Sequence, residues 1–417
     1  MDSPDVVVVG GGIAGLAVAA ECAKATRRVL LLEAASELGG RARTTVHEGY
    51  HLNLGPRALY RGRGLRLLHR QGVRPTGGAP ARGLVLLNGE LHRGFLDTAG
   101  LLSTPLLSLR ERASLVTLLA GGGPTRGLAG RSALDWLTGC LPSSRAVAVA
   151  ATMVRVASYV PALDAISADA VAEHLRLARR GVRYIDGGWG ELVGELARAA
   201  RRSGAQIRTG SRVVAVESGR QRVRVTLRAG ELTASCVVLA GLTPREVGRL
   251  LSADDTPAEA VGPGQTASCL DVALARLPRP DQPFVVGFDE PVYLSVHSVS
   301  ARLAPDGGAV IHVLRYHDQA GSRESGYRAE LERLLDNVQP GWRDVLVQAR
   351  FLPRMNVCGP LPQPAMSGLA GRPPTVAAGR PGLFLAGDWV GPSGLLLEAS
   401  LASAQRAARA ALRRLAS

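Results

Sequence analysis

Residues 5–34, "DVVVVGGGIAGLAVAAECAKATRRVLLLEA", restrict the fold more than any other part of the chain. Four consecutive valines, with no polar residue between them, read as a strand buried on both faces, the pattern of a parallel sheet. Gly10-x-Gly12-x-x-Gly15 follows, then a helix of small residues, then a second apolar strand in "RRVLLLEA". Strand, glycine turn, helix and strand within about thirty residues form the dinucleotide-binding unit. Gly10 permits the tight turn, Gly12 lets backbone approach a pyrophosphate, and Gly15 lets the helix pack on the strand. The helix N-terminus offers N–H groups and a partial positive charge to phosphates. Glu33 ends the second strand, where a carboxylate can accept both hydroxyls of an adenosine ribose and repel a 2′-phosphate. NAD and FAD both satisfy this fingerprint.

The length of 417 residues exceeds one ordinary core, so two domains are expected. Hydrophobic residues make up 46% and charged residues 20%, a globular balance, and no apolar run reaches membrane-spanning length. The acidic start "MDSPDVVVV" lacks the features of a signal peptide. Cys22, Cys140, Cys236, Cys269 and Cys358 stand far apart without a CxxC pair, which argues against a disulfide framework or zinc site and for a reduced, cytoplasmic setting. The net charge is +15, yet Lys24 is the only lysine and the remaining basic residues are arginines spread along the chain. With no zinc-finger, basic-zipper or RNA-binding signature, no nucleic-acid partner is expected.

Further along, residues 65–182 read as helical, notably 101–123 and 169–180. Strand character returns at 183–240. Strands are expected near 267–275, 283–287, 293–299 and 309–315, with a helix over 322–337. The chain closes on "LFLAGDWVGPSGLLLEASLASAQRAA" (383–408), a buried strand, a loose turn and a helix. The fold class expected is therefore α/β. A discontinuous Rossmann-like domain is built from 1–64, 183–262 and 375–417. Segments 65–182 and 263–374 form an α+β substrate domain with an antiparallel sheet and helices.

Gly39-Gly40 in "ELGGRARTT" (37–45) supplies flexible backbone, and Arg41 and Arg43 follow with planar, permanently charged groups suited to a pyrophosphate. Together "VVVVGGGIAGLAVA…LLLEA…LGGRART", "RYIDGGWGELVGEL…GAQIRTGSRVVAV" and "GLFLAGDWVGPSG" resemble three segments of the flavin amine oxidase superfamily. Within it the chain is most similar to phytoene desaturase-like and protoporphyrinogen oxidase-like proteins. The resemblance implies FAD as cofactor, with Gly12, Ile13, Ala14 and Gly15 at the pyrophosphate and Glu33 at the ribose. It places Gly40 and Arg41 on the phosphates and the backbone of Val213 at adenine. Asp388, after Gly387, falls near the ribityl chain and pyrophosphate. The N–H groups of Leu395 and Leu396 fall at the flavin pyrimidine edge. On this reading both chain ends hold one cofactor.

Three features depart from the family. The tail turn carries bulky leucines and Glu398, a candidate base or a solvated helix residue. Lys24 lies on the first helix, so the lysine that commonly holds a water at flavin N5 has no counterpart. Aromatic residues total only 4%, with Trp389, Tyr60 and Tyr184 as candidates for a flavin-facing wall. "GPRALY" (55–60) resembles the family's flavin-facing loop: Gly55 and Pro56 shape it, and Arg57 either faces flavin, binds an acidic substrate group or pairs with a surface carboxylate. His297 lines a pocket or fills the core, and no histidines show metal-ligand spacing. The leucine-rich stretch 101–119 walls a substrate cavity or rests on a membrane surface, since its charges preclude spanning. The expected reaction is hydride transfer from a hydrophobic small molecule to flavin N5 with formation of a C=C or C=N bond, its electron acceptor open. Amine oxidation, NAD-dependent dehydrogenation and non-catalytic flavin binding are the alternatives.

Overall fold

The computed structural model describes residues 3–417 apart from 26–27, 123–126, 253–260, 263 and 318–325. Val6–Val9 is the middle strand of a five-stranded parallel sheet. Val29–Leu32 pairs with it on one side and Cys236–Ala240 on the other, so Val7 lies between Leu30 and Val237. Gln206–Arg208 and Leu383–Ala386 form the edges. Successive side chains point to opposite faces. Val6, Val8, Val29 and Leu31 pack beneath the helices Ile13–Lys24, Trp189–Arg202 and Leu396–Ala416. Val7, Val9, Leu30 and Leu32 pack against an antiparallel meander of Val213–Ser218, Val223–Leu227 and Gly230–Ala234. Both faces are covered, which is why these strands need apolar residues at every position.

The terminal helix Leu396–Ala416 lies beside Ile13–Lys24 under this sheet, so the two ends of the chain meet. Helix Arg63–Arg70 joins the same core through Leu67 and Leu68, followed by Val73.

The second sheet has seven strands in the order Leu346–Pro360, Gly264–Leu274, Ala309–Tyr316, Val292–Val296, Phe284–Gly287, Leu84–Leu87 and Glu90–Arg93. All neighbours are antiparallel except Phe284–Gly287 beside Leu84–Leu87. Helices Leu109–Leu119, Ala133–Cys140, Ser144–Ser158 and Ala168–Ala178 cover one face, and Tyr327–Val338 covers the other. The architecture is α/β: a Rossmann-like domain assembled from separated segments, joined to an α+β domain.

Several elements differ from expectation: the span 65–182, read as helical, also holds strands Leu84–Leu87 and Glu90–Arg93, and Leu346–Pro360 is a long strand. The run 101–123 is divided into helices Thr98–Ser103 and Leu109–Leu119, because Pro105 lacks the N–H to continue the first and Ser108 caps the second in a capping box with Glu111. The strand expected over 293–299 ends at Val296, and His297–Val299 forms a 3-10 turn. The helix expected over 322–337 is seen as Tyr327–Val338, with residues 322–325 outside those described. Among the described residues no helix is long and apolar enough to cross a membrane.

Candidate active site

A cavity of about 900 Å³ runs from the glycine turn to the boundary between the sheets. The glycines at its edge do different jobs. A Cβ on Gly10 would lie 2.1 Å from the carbonyl oxygen of Ala240, and one on Gly15 would lie 1.9 Å from that of Gly10. Both are excluded by the protein itself. Gly12 has an ordinary φ of −77°, and the nearest atom to its Cβ position is 3.8 Å away. Neither fold nor packing requires glycine there. Gly12 lines the cavity, so the space it leaves serves something bound. Gly40 faces the same space, with its nearest neighbour 4.0 Å from a Cβ.

Ile13 and Ala14 line the cavity at the start of the first helix, which has no side-chain cap. Its free N–H groups therefore remain for a ligand. Glu33 also lines it. One carboxylate oxygen accepts from Gly11 N–H at 2.6 Å and the other from Ala35 N–H at 2.8 Å. A carboxylate can accept about four such bonds, so acceptor capacity remains for ribose hydroxyls.

Arg41 and Asp388 meet across the middle of the cavity at 2.8 Å. Burial pushes the Asp388 carboxyl up. The Arg41 charge and hydrogen bond, with the Gly359 N–H at 2.8 Å, more than offset this and hold it below its ordinary value. Asp388 in turn raises the Arg41 guanidinium. Leu396 opens the terminal helix at the cavity wall with a φ of 54°. Left-handed backbone costs a leucine about 1–2 kcal/mol, and such strain gathers at binding sites.

The far end is aromatic. Arg57, Tyr60, Tyr159 and Trp189 line it. The Tyr60 hydroxyl donates to Ala157 O at 2.6 Å, and the Tyr159 hydroxyl donates to Pro56 O at 2.7 Å. Burial pushes both phenols well above their ordinary value. Tyr60 lines the cavity with its hydroxyl engaged by Ala157 O. Arg57 lies over the Trp189 ring at 6.0 Å. Its Nε and Nη2 are buried without a hydrogen-bond partner, and so is Trp189 Nε1. Buried donors are almost always paired in folded proteins, and these border the cavity without a partner among the described residues.

Among the remaining expected site residues Trp389 lines the cavity and the others do not. Glu398 is turned away from it. Its Oε2 accepts from Gly64 N–H at 2.9 Å, and its carboxylate caps helix Arg63–Arg70, whose own cap is Gly62. The carboxylate does not line the cavity. Leu395 is fully buried among the substrate-domain helices, and Leu397 lines the cavity beside Leu396 in its place. Val213 packs in the meander core, outside the lining. Gly15, Gly55 and Gly387 support the site from behind: a Cβ on Gly55 would meet Met355 Cε at 2.3 Å, and Gly387 N–H donates to Ser403 Oγ. Trp389 lines the cavity and donates to Leu242 O, whereas Tyr184 does not line it and stacks on His297 at 3.6 Å.

Sequence reasoning missed Tyr159, Trp189, Cys358 and the segment 241–249. Trp189 had a signal, since "DGGWG" opens a helix directly after a Gly pair. Tyr159 and Cys358 had none, because substrate-domain packing alone brings them in.

Behind the loop that carries Arg57, a polar row crosses the second sheet. Arg350, Asp271, His312 and Ser295 are cross-strand neighbours. Asp271 accepts from His312 Nδ1 at 2.6 Å and from Arg350 at 2.6 Å. Arg350 also donates to the carbonyls of Leu52 and Asn53, which fixes the approach to Gly55. Cys269, Asp271 and His312 bring ligand-type atoms within 4.8 Å of one another. Both Asp271 oxygens are engaged already, and the Arg350 charge opposes a cation.

Comparison with known proteins agrees with this geometry. A family model described as NAD(P)-binding Rossmann-like domain matches residues 8–69. A second, described as flavin containing amine oxidoreductase, matches residues 171–412, more than half of the chain. The chain belongs to the flavin containing amine oxidoreductase family. That family is described as flavin containing. Nicotine dehydrogenase of Pseudomonas putida (strain DSM 28022 / S16) is 53% identical over 51 residues, which are 12% of this chain and 11% of that protein. The chain thus matches this curated relative over about a ninth of its length. An oxidoreductase from Methanosarcina mazei superposes with a TM-score of 0.77 at 18% identity, covering 96% of this chain and 99% of the other. A putative protoporphyrinogen oxidase from Exiguobacterium sp. 255-15 gives 0.73 at 20% identity, covering 100% of both chains. At such identity these two similarities concern the fold.

The residues present fit FAD. Gly12 and Gly40 leave open space where a pyrophosphate needs close backbone, Glu33 retains acceptor capacity for a ribose, and the uncapped start of Leu396–Ala416 meets the aromatic end.

Proposed function

We propose that this enzyme removes hydride from a carbon of a hydrophobic small molecule bearing an acidic group and leaves a C=C or C=N bond. The observation that carries the reading is Arg57, a guanidinium with two unpartnered buried nitrogens in a wall of Tyr60, Tyr159 and Trp189. A cation so placed is stabilised by an anion, and its planar fork suits a carboxylate. FAD, when bound, supplies the hydride acceptor. The aromatic side chains and Leu396 and Leu397 bind the apolar body and exclude water. The uncapped N-terminus of Leu396–Ala416 directs partial positive charge at this end of the cavity, where negative charge is stabilised. Neither tyrosine hydroxyl takes the substrate proton, because each already donates to a carbonyl.

Amine oxidation by a lysine-held water is disfavoured. Lys24 is the only lysine, and its Nζ donates to Arg70 O outside the cavity lining. The test is anaerobic mixing of the flavoprotein with protoporphyrinogen IX, phytoene, L-leucine and benzylamine, followed by flavin bleaching and product analysis. The acidic porphyrinogen should bleach the flavin, and Arg57→Met should raise its KM about 10- to 100-fold while changing kcat little, the value of a charged hydrogen bond. Bleaching by the amines alone would overturn the reading. Turnover of phytoene with no effect of Arg57→Met would remove the acidic group from it.

A further inference from the structure

The arginines of this chain are not evenly paired. Helix Arg63–Arg70, the end of helix Ala168–Ala178 and the terminal helix come together on one face. Arg63 donates to Gln405 Oε1 of the terminal helix at 3.1 Å, and Arg61 N–H donates to Gly181 O beside Arg180. Arg409 lies one helical turn beyond Gln405 and so on the same side. Arg61, Arg63, Arg66, Arg70, Arg180 and Arg409 are all exposed, and none has an ion-pair partner among the described residues. Two carboxylates close to this face are turned inward, Glu398 onto Gly64 N–H and Glu173 onto Gly394 N–H. Arg198, Arg224 and Arg279 do have acidic neighbours, while exposed arginines such as Arg201, Arg202 and Arg222 also have no ion pair among the described residues; what marks this face is that its six arginines are gathered beside the cavity wall.

This cationic face is the outer side of the cavity wall. Tyr60 lines the cavity and Arg61 follows it; Leu396, Leu397 and Ser400 line it from the helix that carries Arg409. The face and the cavity thus share the segment Tyr60–Arg61 and the terminal helix. We propose that this face is the docking surface for an acidic one-electron carrier protein that re-oxidises the enzyme. The proposal rests on the oxidoreductase reading above. Each substrate oxidised releases two electrons and two protons. Two carrier molecules each accept one electron, and both protons pass to solvent. Unpaired like charges suit such a transient complex, in which attraction raises the encounter rate and a small contact area permits quick release.

The test uses the FAD-loaded enzyme and the acidic blue-copper protein plastocyanin, with basic horse cytochrome c as the control. The enzyme is reduced with dithionite without excess, mixed with either carrier, and carrier reduction is followed by absorbance at low and high salt. Binding of labelled plastocyanin is measured separately by fluorescence anisotropy. The variant Arg61→Glu/Arg63→Glu/Arg409→Glu leaves the cavity residues intact. Plastocyanin should be reduced and bound at least tenfold better than cytochrome c at low salt, with the advantage lost at high salt or in the variant. Equal, salt-independent rates with both carriers, or a variant that behaves as wild type, would overturn the proposal. Salt-sensitive capture by phosphatidylglycerol vesicles or duplex DNA, lost in the variant while plastocyanin is unaffected, would assign the face elsewhere and also overturn it. Protein that never shows flavin bands refutes the oxidoreductase reading instead.

Discussion

Gly12 and Gly15 stand three residues apart in one motif, yet substitution should separate a loss of cofactor from a loss of fold. At Gly15 a Cβ would sit 1.9 Å from Gly10 O, and the intruded atom is backbone in the turn itself. Relief requires the helix to retreat from the strand by more than about 1 Å, and overpacking of this kind costs about 1–3 kcal/mol or more. At Gly12 the φ of −77° is open to any residue, and the nearest atom is 3.8 Å from the new Cβ. The apoprotein should therefore lose at most about 1 kcal/mol through the poorer helix cap. Its side chain instead enters the cavity where the phosphates lie. A ligand present at about 100 times its Kd adds about 2.7 kcal/mol of stability, and Gly12→Val should abolish that increment. The assay is urea unfolding of stripped and FAD-supplemented protein, with the flavin content of freshly purified material. Gly15→Ala should be destabilised with and without FAD. Gly12→Val should stay within about 1 kcal/mol of wild type without FAD and fall further behind with it. A Gly12→Val protein that purifies with full flavin would refute the assignment of this space to the cofactor.

Two further outcomes follow from buried groups. Glu398→Ala should cost about 1–3 kcal/mol by stranding the Gly64 N–H, while Glu398→Gln, which keeps an acceptor oxygen, should restore most of it in urea melts; a turnover defect in Glu398→Gln at full stability would return this residue to the chemistry. His174 has its pKa lowered to about 4 by burial, only partly opposed by its bond to Ala157 O. The unfolded chain therefore binds more protons between about pH 4 and 6.5, and stability falls as pH drops through that window, by about 3 kcal/mol in all. His174→Gln should flatten the acid limb of stability against pH, and an unchanged limb would show that other groups govern it.

The difference between what the sequence disclosed and what it concealed follows from the range of the interactions. The nucleotide end is built from local devices. A four-valine strand, a glycine turn and an acid at the next strand end are contiguous, and each is dictated by near neighbours, so pattern reading reached Gly10, Gly12 and Glu33 directly, and Gly40 and Arg41 from the loop that follows. The family resemblance added Ile13, Ala14, Asp388 and Leu396, which line the cavity as well. The other end depends on packing between segments far apart in the chain. Tyr159 reaches the wall because it ends helix Ser144–Ser158 in left-handed backbone and donates to Pro56 O, an event with no local signature.

Glu398 shows the converse limit. An acid beside a ligand-facing turn has the residue type of a catalyst, but the chain turns it towards a helix with glycine at its own cap, and only the distant position of Gly64 discloses that. Arg57 was the undecided case in the sequence, because an arginine's role depends on whether a carboxylate lies within reach. Arg41 has Asp388 at 2.8 Å; Arg57, in the same cavity, has two unpartnered nitrogens. Of the two cations Arg41 is satisfied by the fold, and Arg57 is not, which is why the acidic group of the proposed substrate is assigned to it.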